Sequence, residues 1–252
     1  MLAGGVIALI GAVGALWIDA ATFLISSAII WSIRYKENLQ GAKQTVKGVI
    51  QDFAEGFRFI RASRTIQTVS LIGLLINFGI MPLTVFQTPY VSDYLKMGPE
   101  TLSYIKILTS VGMITGSALL PKLGKIKTPV IAVAAGVIMG AALIEMSIAQ
   151  SLSTPVLKMG ILTLSMLSIG FGGGLLNVVI GSSVMKAVPK EMMGRISGFL
   201  TAMMQASMPV ASFICSALAV YFHIPHILVF FGSLTLICSL ALYFRKKLDA
   251  LS

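Results

Sequence analysis

The stretch Thr128-Pro-Val-Ile-Ala-Val-Ala-Ala-Gly-Val-Ile-Met-Gly-Ala-Ala-Leu-Ile-Glu-Met-Ser-Ile-Ala-Gln150 decides the fold. A bilayer core is crossed by about 20 mostly apolar residues, and this run reaches that length with one charged side chain, Glu145. Val130–Ala135 is apolar on every face, so it has neither the polar side of a surface helix nor the alternation of a barrel strand. A lone strand in hydrocarbon would leave its backbone donors and acceptors unpaired, whereas a helix satisfies them within itself. The run therefore predicts a membrane-spanning helix.

Runs of the same kind lie at Gly14–Ile33, Ile66–Tyr90, Leu102–Leu120, Pro155–Ile180, Ile196–Phe222 and Ile227–Phe244, which makes seven spans. Met1–Ile10 is apolar but about half the length a bilayer demands. Composition agrees. Of 252 residues, 56% are hydrophobic and 11% charged, against about 25% charged in soluble proteins. A soluble enzyme, a disordered tail and a disulfide scaffold are all disfavoured. Cys215 and Cys238 sit inside apolar runs, where thiols act as small core fillers. The fold class predicted is an all-α polytopic membrane protein.

The net charge of +10 reports orientation and does not require nucleic acid as a partner. Arg34, Lys36, Lys43, Lys47, Arg58, Arg61 and Arg64 fill the first long loop. Lys122, Lys125 and Lys127 mark a later turn, Lys186, Lys190 and Arg195 another, and Arg245, Lys246 and Lys247 the tail. The loops between these carry only Lys96 and Lys158. This alternation assigns the basic side to the cytoplasm, with the C-terminus inside. Within the first loop, Val46, Val49, Ile50, Phe53, Phe57 and Ile60 form one apolar stripe, so Thr45–Ala62 is expected to be an amphipathic helix, packed under the bundle or lying among headgroups.

Enzyme motifs are missing. Gly170-Phe-Gly-Gly-Gly174 lacks phosphate-loop spacing and a preceding strand. His223 and His226 have no third metal ligand near them in sequence. No enzyme activity, cofactor or metal is expected. The glycine pairs Gly112/Gly116, Gly136/Gly140 and Gly170/Gly174 are the small-residue spacing through which helices approach closely in lipid. Pro82, Pro89 and Pro209 can bend their spans.

Charged side chains in hydrocarbon cost several kcal/mol by most estimates and face a cavity or a partner. Lys106 and Glu145 lie at matching depths near the outer ends of neighbouring antiparallel spans, and either form an ion pair or a proton-linked switch or both snorkel toward the outer surface. Asn77, Gln87, Asn177 and Gln205 are deeper, and either hydrogen-bond across helices or line a substrate path.

Four segments carry a resemblance: Leu16-Trp-Ile-Asp-Ala-Ala-Thr-Phe-Leu-Ile25, Phe53-Ala-Glu-Gly-Phe-Arg-Phe-Ile60, Val188-Pro-Lys-Glu-Met-Met-Gly-Arg-Ile-Ser-Gly198 and Ala3-Gly-Gly5. Together the chain resembles the C-terminal portion of a major facilitator superfamily transporter, from the end of helix 5 through helix 12. The branch it is similar to is the bacterial macrolide-efflux and enterobactin-exporter-like one. The resemblance implies that residues 1–33 hold the rest of helix 5 and helix 6. Residues 34–65 would be a cytoplasmic linker and 66–252 a six-helix C-terminal half. It implies proton-coupled efflux of a drug-like or siderophore-like solute across the bacterial cell membrane by alternating access. Asn77, Gln87, Asn177 and Gln205 would line the path, with Lys106 and Glu145 as gating or coupling residues. Lys122, Gly124, Lys125 and Lys127 would keep the basic anchor of the loop between helices 8 and 9, where Pro121 replaces the family's aspartate and Ser117 its first glycine. Gly194 and Arg195 fall in the loop between helices 10 and 11. The partners implied are the lipid bilayer, a small-molecule substrate, protons, and either a missing N-terminal half or a second copy of the chain. The alternative is a non-transporting membrane scaffold or regulatory interaction protein.

Overall fold

The computed structural model describes residues 2–32, 46–98, 100–123 and 126–248, so Arg34, Lys36, Lys43, Gly124 and Lys125 lie outside the described residues. The chain forms two compact units, Met1–Gly48 and Val49–Ser252. The first contains α1 (Leu2–Ser32), interrupted at Gly11 with φ 73° and ψ 170°. A side chain at that φ would be strained, and glycine is not. The break divides the short apolar segment from the span Val13–Ser32.

The second unit contains α2 (Val46–Ala62) from Val49 onward, α3 (Arg64–Gly79), α4 (Met81–Pro89), α5 (Glu100–Leu119), α6 (Thr128–Ala149), α7 (Pro155–Ala187), α8 (Met193–Ala219) and α9 (Ile224–Leu248). Seven helical stretches among the described residues are long and apolar enough to cross a bilayer, in the positions hydropathy predicts. One of them, Ile66–Tyr94, is discontinuous. Pro82 has no N–H to give the Phe78 carbonyl, so the helix stops at Gly79 and restarts at Met81. After Pro89 it widens into a π turn, Tyr90–Tyr94.

That turn is pinned. Tyr90 is buried, and its hydroxyl donates to the Met146 carbonyl of α6. Inter-helix hydrogen bonds in membranes are worth about 1 kcal/mol, because the unfolded helices also find partners. Tyr90→Phe is expected to lower stability by about that amount. A detergent unfolding titration followed by helical circular dichroism measures it.

The bundle is organised around α7, which packs on α5 along one side and on α6 along another. The glycine run makes both approaches possible. A methyl group on Gly170 would strike the Thr109 carbonyl oxygen, and one on Gly174 that of Met113, both in α5. Gly112 and Gly116 answer from α5, against the Leu167 and Phe171 carbonyls. Gly172 faces α6, where an added methyl would lie 2.5 Å from Met139 Cγ. Along α6, Gly140 meets Gly232 of α9, the added carbon falling 2.8 Å from its carbonyl oxygen. Lipid tails are as apolar as leucine, so van der Waals contact at this range does the work that water exclusion does in soluble proteins.

At the end bearing Lys122 and Lys127, here called the basic end, α2 docks on the α7–α8 connection. Ile60, Ile66, Val184, Val188, Ile196 and Leu200 are buried together, with Phe59, Met192, Met193, Phe199 and Met203 packed around them. Gly56 lets α2 come close, since an added methyl would lie 3.2 Å from Phe199. The Phe57 and Phe199 rings meet edge-on at 6.4 Å. Of the two placements open to the amphipathic helix, the structure shows packing under the bundle.

Candidate functional site

The exposed surface of α8 is divided, with small and polar residues on one side and large apolar residues on the other. On α8, Gly198, Thr201, Gln205 and Ser216 recur at helical spacing and are all exposed. Val210 and Phe213, also exposed, occupy the adjoining apolar side. On α5, Ser103, Lys106 and Ser110 are exposed on one side near the Glu100 end, and Ile114, one turn after Ser110, continues that side as an apolar one. On α4, Thr84 and Thr88 are exposed, with Gln87 half-buried beside them.

The third face of α7 completes the pattern. Gly173, Asn177 and Gly181 are four residues apart, Asn177 is exposed, and nothing lies within 4 Å of a methyl group built on either glycine. On the helical wheel this stripe falls between the Gly170/Gly174 edge that meets α5 and the Ile180 edge that meets α3. It therefore follows the groove line between α5 and α3.

The structure brings three of the four path candidates to one level. A methyl on Gly73 of α3 would lie 2.7 Å from Met204 of α8 and 3.0 Å from Ile180 of α7, so these three helices meet there. Asn77 is one turn from Gly73, Asn177 one turn from Ile180, and Gln205 next to Met204. Asn177 and Gln205 have free amides among the described residues. Asn77 is half-buried and turns its amide onto the Gly73 carbonyl at 3.0 Å. Gln87 lies beyond the α3–α4 break, nearer the opposite end.

Lys106 and Glu145 are not brought together. α7 packs against both α5 and α6, and each residue sits on a different side of it. Lys106 is exposed on the polar side of α5. Glu145 is half-buried in the α6–α7 seam and accepts a 3.4 Å hydrogen bond from the buried Ser165 hydroxyl. Lys122 and Lys127 are exposed at the basic end. Gly194 is exposed, and Arg195 pairs with Glu55 of α2 at 3.5 Å, with both side chains about half exposed. Exposed pairs of this kind contribute about 0–1 kcal/mol.

Thr201, Ser216, Ser103 and Ser110 were not singled out from the sequence. Serine, threonine and glycine are tolerated in spans, so they vanish into a hydropathy average. A 3.6-residue periodicity applied to small polar residues, and not to apolar ones, would have found them.

Seven long apolar helical stretches, with exposed polar stripes on α7 and α8, define a polytopic membrane protein. The model of the Major Facilitator Superfamily matches residues 1–212, and the chain belongs to that family. Members of the family are transporters. No curated protein and no solved structure matches the chain.

Proposed function

We propose that this chain is the C-terminal portion of an efflux transporter of the macrolide-efflux or enterobactin-exporter-like kind. In this reading residues 66–252 are its six-helix half, residues 34–65 the linker and residues 1–33 the end of the preceding half. The polar stripes of α7 and α8 carry this reading. Their small, polar residues suit a water-filled path, and the large apolar residues on the other sides of the same two helices suit lipid. A single wall cannot enclose a path, so the chain works with an N-terminal half or a second copy, rocking about the Gly73 level. The basic end lies in the cytoplasm of a bacterial cell. Protons moving inward would drive a hydrophobic drug-like or siderophore-like solute outward. Asn177 and Gln205 offer it amide hydrogen bonds, Lys106 a cationic gate, and Glu145 a proton acceptor inside the seam.

The test is efflux from everted vesicles containing the complete transporter. The double variant Asn177→Leu/Gln205→Leu should lose at least about tenfold in kcat/KM, because the solute's polar groups then meet an apolar wall and are left unpaired. Its folded amount should stay unchanged. Glu145→Gln should retain solute binding and lose the dependence of flux on an imposed pH gradient. Unaltered efflux in the double variant removes the wall assignment, and an unaltered response to the gradient removes Glu145.

A further inference from the structure

At the end opposite the basic one, α8 and α9 are joined by the short turn around His223, yet they scarcely touch. α8 leans on α3 and α4, while α9 lies along α6. A cavity of about 550 Å³ opens between them, lined by Leu218, Phe222, His226, Ile227 and Phe230. Four of these five side chains are hydrocarbon, and no carboxylate is among them. On α9 the lining runs from His226 to Phe230, a depth of about 6 Å at 1.5 Å per residue. Its one polar side chain is therefore at the mouth.

Water needs two to four polar partners to occupy a cavity, and this lining offers one. An empty slot forfeits the dispersion contacts of its walls. The surrounding solvent, a bilayer, supplies a filler of matching chemistry, and the slot takes the headgroup-proximal methylenes of a chain. At the mouth, the His223 and His226 rings stand 6.1 Å apart. His223 Nδ1 lies 3.5 Å from the Tyr94 hydroxyl, which also accepts from the Ile224 N–H at 3.4 Å. These contacts hold the turn. The His226 backbone N–H donates to the His223 carbonyl at 3.0 Å, its ring has no hydrogen-bond partner among the described residues, and an imidazole in either neutral tautomer still presents one N–H donor to a phosphate oxygen.

We propose that the α8–α9 cavity is a phospholipid site, holding one acyl chain between Leu218, Phe222 and Phe230 and its headgroup phosphate at His226. The site lies apart from the polar stripes. It rests on the membrane fold and is independent of the efflux reading.

The experiment uses the whole chain reconstituted in phosphatidylcholine vesicles containing phosphatidylglycerol with a photoactivatable acyl chain. Adducts are mapped by peptide mass spectrometry. Adducts on residues 218–230 should exceed those around Ile114, an exposed apolar residue of α5, by about fivefold. Leu218→Trp, which fills the cavity, should bring them to the Ile114 level with helicity unchanged. His226→Leu should abolish the preference for the phosphate-bearing probe over the methyl ester of the same photoactivatable fatty acid. Equal labelling at Ile114 and the cavity in the unmodified chain, a comparison that needs no variant, overturns the proposal. So does displacement of the adducts by a hydrophobic dye but not by excess phospholipid, which would mark a solute site.

Discussion

Gly170→Leu is expected to prevent the bundle from closing. The glycine sits against the Thr109 carbonyl of α5, so a side chain there meets backbone that cannot move aside as a side-chain tip can. Overpacking a core commonly costs about 1–3 kcal/mol, and a clash with backbone belongs at or above the top of that range. The variant should therefore unfold at a markedly lower denaturant concentration in detergent, or fail to accumulate in the membrane. Gly170→Ala should show the same effect in milder form. Gly173→Ala is the internal control. It lies three residues along the same run with open space around it, so it should be neutral or stabilise by up to about 1 kcal/mol through helix propensity. Equal losses at Gly170 and Gly173 would mean that the run is not packed on two sides with its third face free.

Ile196→Ala is expected to have the next largest effect. Ile196 is fully buried in the cluster that fastens α2 to the α7–α8 connection. α2 is amphipathic and is not among the spans, whereas Ile66, Val184, Ile196 and Leu200 lie at the basic-end tips of theirs. Deleting a buried isoleucine to alanine there removes its contacts and leaves a cavity, a loss of about 2–5 kcal/mol. The loss should be local. Amide hydrogen exchange across α2 should accelerate, while α5, α6 and α7 keep their protection. Uniform acceleration throughout the bundle would show that α2 is not a separately fastened element.

These two predictions also mark what the sequence could and could not disclose. Span positions were legible because lipid imposes one length and one composition, and the amphipathic stripe of α2 was legible because water lies on one side of it. The glycine pairs signalled close approach, but their partners were hidden. One apolar span is chemically as good a neighbour as another, and only geometry pairs α5 with α7 and α6 with α9. Depth could be read from position along a span, so Lys106 and Glu145 looked matched. Azimuth could not be read, and α7 stands between the helices that carry them. The same limit left Asn77, Asn177 and Gln205 as separate polar residues until Gly73, Ile180 and Met204 placed their helices at one level.

Thiol accessibility tests the divided surface most directly. With Cys215 and Cys238 replaced by alanine, single cysteines are introduced as Asn177→Cys, Gln205→Cys, Leu164→Cys and Phe213→Cys. They are then exposed to a membrane-impermeant maleimide on open membrane fragments that give it both faces. All four native residues are exposed in the structure; Asn177 and Gln205 lie on the polar stripes, Leu164 lies on the opposite side of α7 from Gly173 on the helical wheel, and Phe213 lies on the Val210 side of α8. The account predicts rapid labelling at positions 177 and 205 and protection at 164 and 213. Protection at 177 and 205, with labelling at 164 or 213, would contradict it.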